Sequence, residues 1–122
     1  MSLLRLSESN DVLKVVDDQR GAPTYAMDLA VFICFYLNLK VKPSFALLNF
    51  SNLGDCTWFD FAKKIFELKN INQKVLRVKT SDMNFRAPRP NYSVLDLSKL
   101  RSNFNFELRS WEQALEEMLS NL

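Results

Sequence analysis

The chain has 122 residues, with 16 Lys and Arg against 14 Asp and Glu, two cysteines, two glycines and no histidine. That length suits one domain, expected to bury roughly 65% of the surface its unfolded chain exposes, and 48% hydrophobic against 25% charged residues is the balance of a folded protein. Without histidine there is no Ser-His-Asp or Cys-His catalysis and no His-ligated zinc; with glycine only at Gly21 and Gly54, neither a dinucleotide fingerprint nor a phosphate loop can be written.

In chain order, residues up to about Asn10 read as a short amphipathic helix, and Leu13 to Val16 as a short strand closed by Asp17-Asp18. Gln19 to Thr24 is a turn in which Gly21 permits positive φ and Pro23 fixes the exit. Thr24 is expected to N-cap a helix from Tyr25 to Leu39, apolar nearly all round through Leu29, Phe32, Ile33 and Leu37 and therefore buried on most sides. Phe45 to Phe50 follows Pro43 as a buried strand. Thr57 and Asp60 form a capping box opening a helix to Lys69, with Trp58, Phe61, Ala62, Ile65 and Leu68 on its inner face. Val75 to Val78 is a strand, Thr80 to Tyr92 a loop, and Ser98 to Asn103 a short helix behind Asp96 as cap. Ser110 and Gln113 box the start of a last helix, its inner face Trp111, Ala114, Leu115, Met118 and Leu122. The fold class is α+β, helix-rich with short strands.

Charge is uneven. Lys74, Arg77, Lys79, Arg86 and Arg89 face Asp82 alone between residues 73 and 92, leaving the remainder net acidic. No C-x-x-C is present; Cys34 reads as a small core residue, Cys56 as inert, and a reduced, cytoplasmic setting is expected. The start lacks a secretory h-region, Leu29 to Leu37 is too short to span a bilayer, and a net charge of +2 does not by itself suggest nucleic acid, so neither membrane nor nucleic acid is expected as a partner.

Tyr36 and Lys40 make a Y-x-x-x-K, the spacing by which a lysine ammonium lowers a phenol pKa, but three tyrosines and nine lysines produce such a match by chance in roughly a fifth of chains this size. It reads as a helix end with a snorkelling lysine. Arg86-Ala-Pro-Arg89-Pro90 sets two guanidinium groups on a proline-stiffened segment suited to a phosphate or carboxylate; the plainer reading pairs them with acids such as Asp82.

Four stretches, read in order, resemble the C-terminal part of the dTDP-4-dehydrorhamnose reductase family, which are extended short-chain dehydrogenases. They are Val15-Val-Asp-Asp-Gln-Arg-Gly-Ala-Pro-Thr-Tyr-Ala-Met-Asp-Leu-Ala30, Cys56 to Phe66, Arg86 to Leu100, and Trp111-Glu-Gln-Ala-Leu115. The resemblance implies the smaller, substrate-binding lobe of an enzyme that reduces a 4-keto sugar on thymidine diphosphate with NADPH or NADH. The cofactor and the catalytic Tyr and Lys belong to a Rossmann half upstream of the Asp-Gln motif, for which this chain has no room. It implies substrate contacts at Gln19, Gly21, Pro23, Thr24, Arg86, Arg89 and Pro90, a weak hold on a dTDP-sugar, no catalytic, cofactor or metal residues, and no reduction by the chain alone. Without its Rossmann half the lobe is expected to expose apolar surface to that half or to a second copy. The alternative is a non-catalytic interaction or oligomerisation module.

Overall fold

A computed structural model describes residues 2–122. Helix α1 (Ser2–Ser9) lays Leu3 and Leu4 against the core ahead of strand β1 (Val12–Val16). Strand β1 pairs in parallel with β4 (Lys74–Val78), Val12 opposite Lys74 and Val16 opposite Val78. A parallel pair needs a crossover, and everything between them supplies it: β2 (Arg20–Gly21), α2 (Ala26–Leu37), β3 (Cys56–Thr57) and α3 (Trp58–Leu68). Strands β2 and β3 pair antiparallel. A single 3-10 turn (Thr80–Asp82), α4 (Ser98–Asn103) and α5 (Trp111–Ser120) complete the chain. The α+β expectation holds.

Helix α3 begins where its capping box places it: Thr57 Oγ1 accepts from Asp60 N at 3.1 Å, and the Asp60 carboxylate accepts from Thr57 N at 3.2 Å. It ends in a Schellman motif, with Asn70 at φ 53° and Ile71 N donating to Phe66 O at 2.9 Å. Ser110 and Gln113 cap α5 reciprocally in the same way. One side of α3 lies on the parallel pair through Ala62, Phe66 and Leu13; another meets α5 through Ile65, Trp111, Leu115 and Leu119. A separate aromatic cluster surrounds Phe32, whose ring lies 5.1–5.9 Å from those of Phe50, Phe104 and Phe106.

Several expectations are corrected. The N-cap of α2 is Tyr25, not Thr24: Tyr25 N donates to Asn52 Oδ1 at 2.8 Å from across the fold, while Thr24 Oγ1 donates to Ala22 O. Gly21 does not take positive φ; among the glycines only Gly54 does, at 84°. Phe45 to Phe50 forms no strand, because no second strand lies beside it. Helix α2 buries only Phe32, and Cys34 is exposed rather than core. Helix α3 is apolar over so wide an arc that its tertiary neighbours select Phe59 and leave Trp58 52% exposed. Leu122 is exposed beyond the end of α5, and Leu119 packs inward instead. Asp96 precedes the cap position of α4, held by Leu97, yet its carboxylate still accepts from Ser98 N at 2.9 Å.

Candidate functional site

Three side chains at the end of β1 tie it to its surroundings: Asp17 to β3 and β4, and Asp18 and Gln19 to the loop that follows β4. Asp17 accepts from Thr57 Oγ1 at 2.9 Å and pairs with Arg77 at 3.1 Å. Asp18 accepts from Thr80 Oγ1 at 2.6 Å and from Thr80 N, and these bonds hold its carboxyl below the ordinary range. Buried Gln19 donates from Nε2 to the same Thr80 hydroxyl at 2.9 Å. Arg20 then draws in the proline-rich loop, its N–H donating to Asn91 O at 2.8 Å and its carbonyl accepting from Ser93 N at 2.9 Å. At Gly21 the reason for glycine is close approach: a Cβ there would lie 3.2 Å from Ser93 Oγ.

Two hollows open on either side of Trp58. The larger, about 610 Å³, is lined by Gln19, Arg89, Lys14, Trp58, Phe61 and Phe85 among others, with two cations and no carboxylate in its wall. The smaller, about 250 Å³, is lined by Gly21, Pro23, Cys56, Thr57, Trp58 and Ser93, with two further apolar residues. The fold therefore brings Gln19 and Arg89, distant in sequence, to one hollow and sets Gly21 and Pro23 at its neighbour. Thr24, Arg86 and Pro90 line neither. Among the described residues neither Arg86 nor Arg89 is ion-paired; Asp82, the suggested partner, instead accepts from Lys79 N at 2.9 Å. Sequence reasoning missed Trp58, Phe85 and Lys14. The available signal was Trp58 at the first position of a capped helix, where a large ring is held firmly but at the edge of the core.

The wall suits recognition: planar rings to stack against, an amide, and cations for an anion. Cys56, beside the smaller hollow, is buried, and that burial, then the nearby Asp60 and Glu112, push its thiol up to about 12, which disfavours the thiolate. Tyr36 turns its ring edge-on to Phe104 at 5.7 Å, and α2 ends at Leu37, so Lys40 shares no helix face with it. The residues present do not fit a dinucleotide: Gly21 lies beside Ser93 and Gly54 beside Trp111, 33 positions apart, and neither belongs to a glycine-rich loop that could cradle a pyrophosphate. Among the described residues no group of three or more acidic or cysteine side chains is placed to hold a metal ion, and no helix is long and apolar enough to cross a membrane.

The chain is a mixed helix–strand lobe whose larger hollow carries aromatic rings and cations. Residues 1–122 match the RmlD substrate binding domain, and the chain belongs to that family. It is 36% identical over 118 residues to the spore coat polysaccharide biosynthesis protein SpsK of Bacillus subtilis, covering 97% of this chain and 40% of that protein. The dTDP-4-dehydrorhamnose reductase of Escherichia coli is 32% identical over 129 residues, covering 99% and 43%. Among solved structures, a dTDP-4-dehydrorhamnose reductase from Clostridium acetobutylicum superposes with a TM-score of 0.90 at 33% identity, covering 98% of this chain and 42% of that one. The Bacillus anthracis dTDP-4-dehydrorhamnose reductase, solved in complex with NADP, gives 0.87 at 37%, covering 98% and 41%. The chain thus spans about 40% of the length of these relatives, as expected for the substrate-binding part.

Proposed function

We propose that this chain recognises a thymidine diphosphate sugar as the substrate-binding part of a dTDP-4-dehydrorhamnose reductase-like enzyme, and that it does not reduce the sugar alone. The observation that carries the reading is the convergence of Gln19 and Arg89 with Trp58, Phe61 and Phe85 on one hollow. Arg89 and Lys14 meet the diphosphate, and an aromatic wall takes the base or the apolar face of the sugar. Hydride transfer to the 4-keto carbon draws on NADPH or NADH held outside these residues, so binding here orients substrate and leaves the chemistry to the remainder. Two free cysteines and a nucleotide-sugar ligand support a cytoplasmic setting.

Titration calorimetry with thymidine diphosphate tests the site. Arg89→Ala is expected to weaken binding by about 1.5–3 kcal/mol, the range for a charge-assisted bond, whereas Arg86→Ala, outside both hollows, leaves it within about twofold. Equal affinities for the wild type and Arg89→Ala sink the assignment.

A further inference from the structure

We propose that Asp18 and Thr80 are positioning residues that fix which end of the Gln19 amide faces the larger hollow, so that Gln19 accepts a hydrogen bond from an N–H or O–H donor of the ligand. This role rests on the hollow taking a thymidine diphosphate sugar, and it adds the chemistry by which Gln19 selects its partner.

The first observation is a chain of hydrogen bonds whose direction is forced. Thr80 N donates to both oxygens of Asp18, at 3.0 and 2.9 Å, and Thr80 Oγ1 lies 2.6 Å from Asp18 Oδ1. Two oxygens that close need a proton between them. An ionised carboxylate has none to give, and the bonds from Thr80 hold the Asp18 carboxyl below its ordinary range. The single hydroxyl proton of Thr80 therefore lies toward Asp18. Thr80 Oγ1 is left with lone pairs alone, so the Gln19 amide atom 2.9 Å away must be the donor, Nε2. An amide turned the other way would set its carbonyl oxygen against an oxygen with no proton to offer.

The second observation is what this leaves at the other end of the amide. Gln19 is buried, yet its Oε1 has no hydrogen-bond partner among the described residues. Nor is Oε1 sealed from solvent; among the described residues the buried side-chain polar atom in that condition is Ser51 Oγ. Oε1 is thus an open acceptor on a residue that lines the hollow with Trp58, Phe85 and Arg89. Lys14 and Arg89 in the same wall are donors and answer the ligand's phosphate oxygens, whereas Gln19 answers a donor. A ligand that brings a second acceptor to this place sets lone pair against lone pair and is rejected. On a thymidine diphosphate sugar the donors of this kind are the imide N–H of the base and the hydroxyls of the sugar.

Titration calorimetry with thymidine diphosphate glucose tests the contact. Thr80→Val removes the hydroxyl but keeps the N–H bond to Asp18, so the loop stays attached. Binding is expected to weaken about fivefold to tenfold, the loss of one hydrogen bond, and Thr80→Ser to restore it. In a Gln19→Met background Thr80→Val should cost nothing further, a result that a merely structural role for Thr80 does not give. A ligand methylated at the imide nitrogen separates the two donors. A loss in the wild type that matches that of Thr80→Val, and does not add to it, assigns the imide; an unchanged affinity assigns a sugar hydroxyl. In heteronuclear NMR spectra of the free chain, the Gln19 side-chain amide protons should shift in Thr80→Val and not in Thr80→Ser. Thr80→Ala takes the place of Thr80→Val should the latter not fold. Wild-type affinity in Thr80→Val, or losses that add to those of Gln19→Met, overturn the proposal. If Arg89→Ala weakens binding and Thr80→Val does not, the hydrogen-bond chain has no role and the hollow still takes the diphosphate. If Thr80→Val weakens binding and Arg89→Ala does not, the diphosphate contact falls and the role of Thr80 stands. A wild type that binds nothing sinks the ligand, and unchanged amide spectra in Thr80→Val then sink the hydrogen-bond chain as well.

Discussion

Replacing Arg109 by alanine probes the contact that ties the aromatic half of the lobe to its last helix. The guanidinium grips Asp28 of α2 through Nε at 2.9 and 3.0 Å and through a second nitrogen at 2.6 Å, and it also pairs with Glu117 of α5. Asn52 donates to the same Asp28 carboxylate at 2.5 Å. Removing one partner of a fully buried pair costs about 3–5 kcal/mol, and of an exposed pair at most about 1. With the Asp28 side chain 15% and that of Arg109 30% exposed, and Asn52 still in place, we expect about 2–3 kcal/mol. For a chain of this length that is a fall in Tm of about 10 °C. Burial pushes the Asp28 carboxyl up, but the hydrogen bonds from Arg109 and Asn52 and the Arg109 charge outweigh it and hold the group below its ordinary 3.8. A lowered folded pKa contributes stability that is complete above the unfolded value and lost as pH falls through the folded one. Urea melts should therefore show the full gap between wild type and Arg109→Ala at pH 7 and a shrinking gap below about pH 4. Coincident midpoints at pH 7, or a gap undiminished in acid, refute the reasoning.

The other predictions are local. Iodoacetamide at pH 8 should give one adduct, on exposed Cys34, since Cys56 is buried with its thiol pushed up to about 12; equal labelling of both in the native state contradicts this. Gly54→Ala should cost about 1–2 kcal/mol, because the residue holds φ 84° and its Cβ would meet Trp111 Cδ1 at 3.1 Å. Gly21→Ala, at ordinary φ against a movable serine hydroxyl, should cost under about 1 kcal/mol; thermal melts of the two variants check the order. Thr57→Ala removes both the cap of α3 and the bond to Asp17 and should cost about 1–2 kcal/mol, with Thr57→Ser recovering most of it.

What could be read without coordinates was whatever depends on a few neighbouring residues. Thr57 with Asp60 and Ser110 with Gln113 start their helices because each box closes within one turn, and the β1 and β4 segments follow from short apolar runs bounded by polar ones. Arg89 stood out in the sequence through its prolines and the family motif, and it lines the larger hollow; Arg86 in the same motif does not. Local pattern failed wherever distant residues decide. Tyr25 rather than Thr24 heads α2 because Asn52 reaches it across the fold. The inner face of α3 turned on which of its many apolar residues the parallel pair and α5 cover, and that choice moved Trp58 from core to the wall of the larger hollow. Gln19 and Arg89 come to line one hollow because Thr80, Asn91 and Ser93 are hydrogen-bonded to the end of β1 and to Arg20. Phe45 to Phe50 has the sequence of a strand, but a strand exists only beside a second one, and no neighbouring residue in the sequence can supply that ladder.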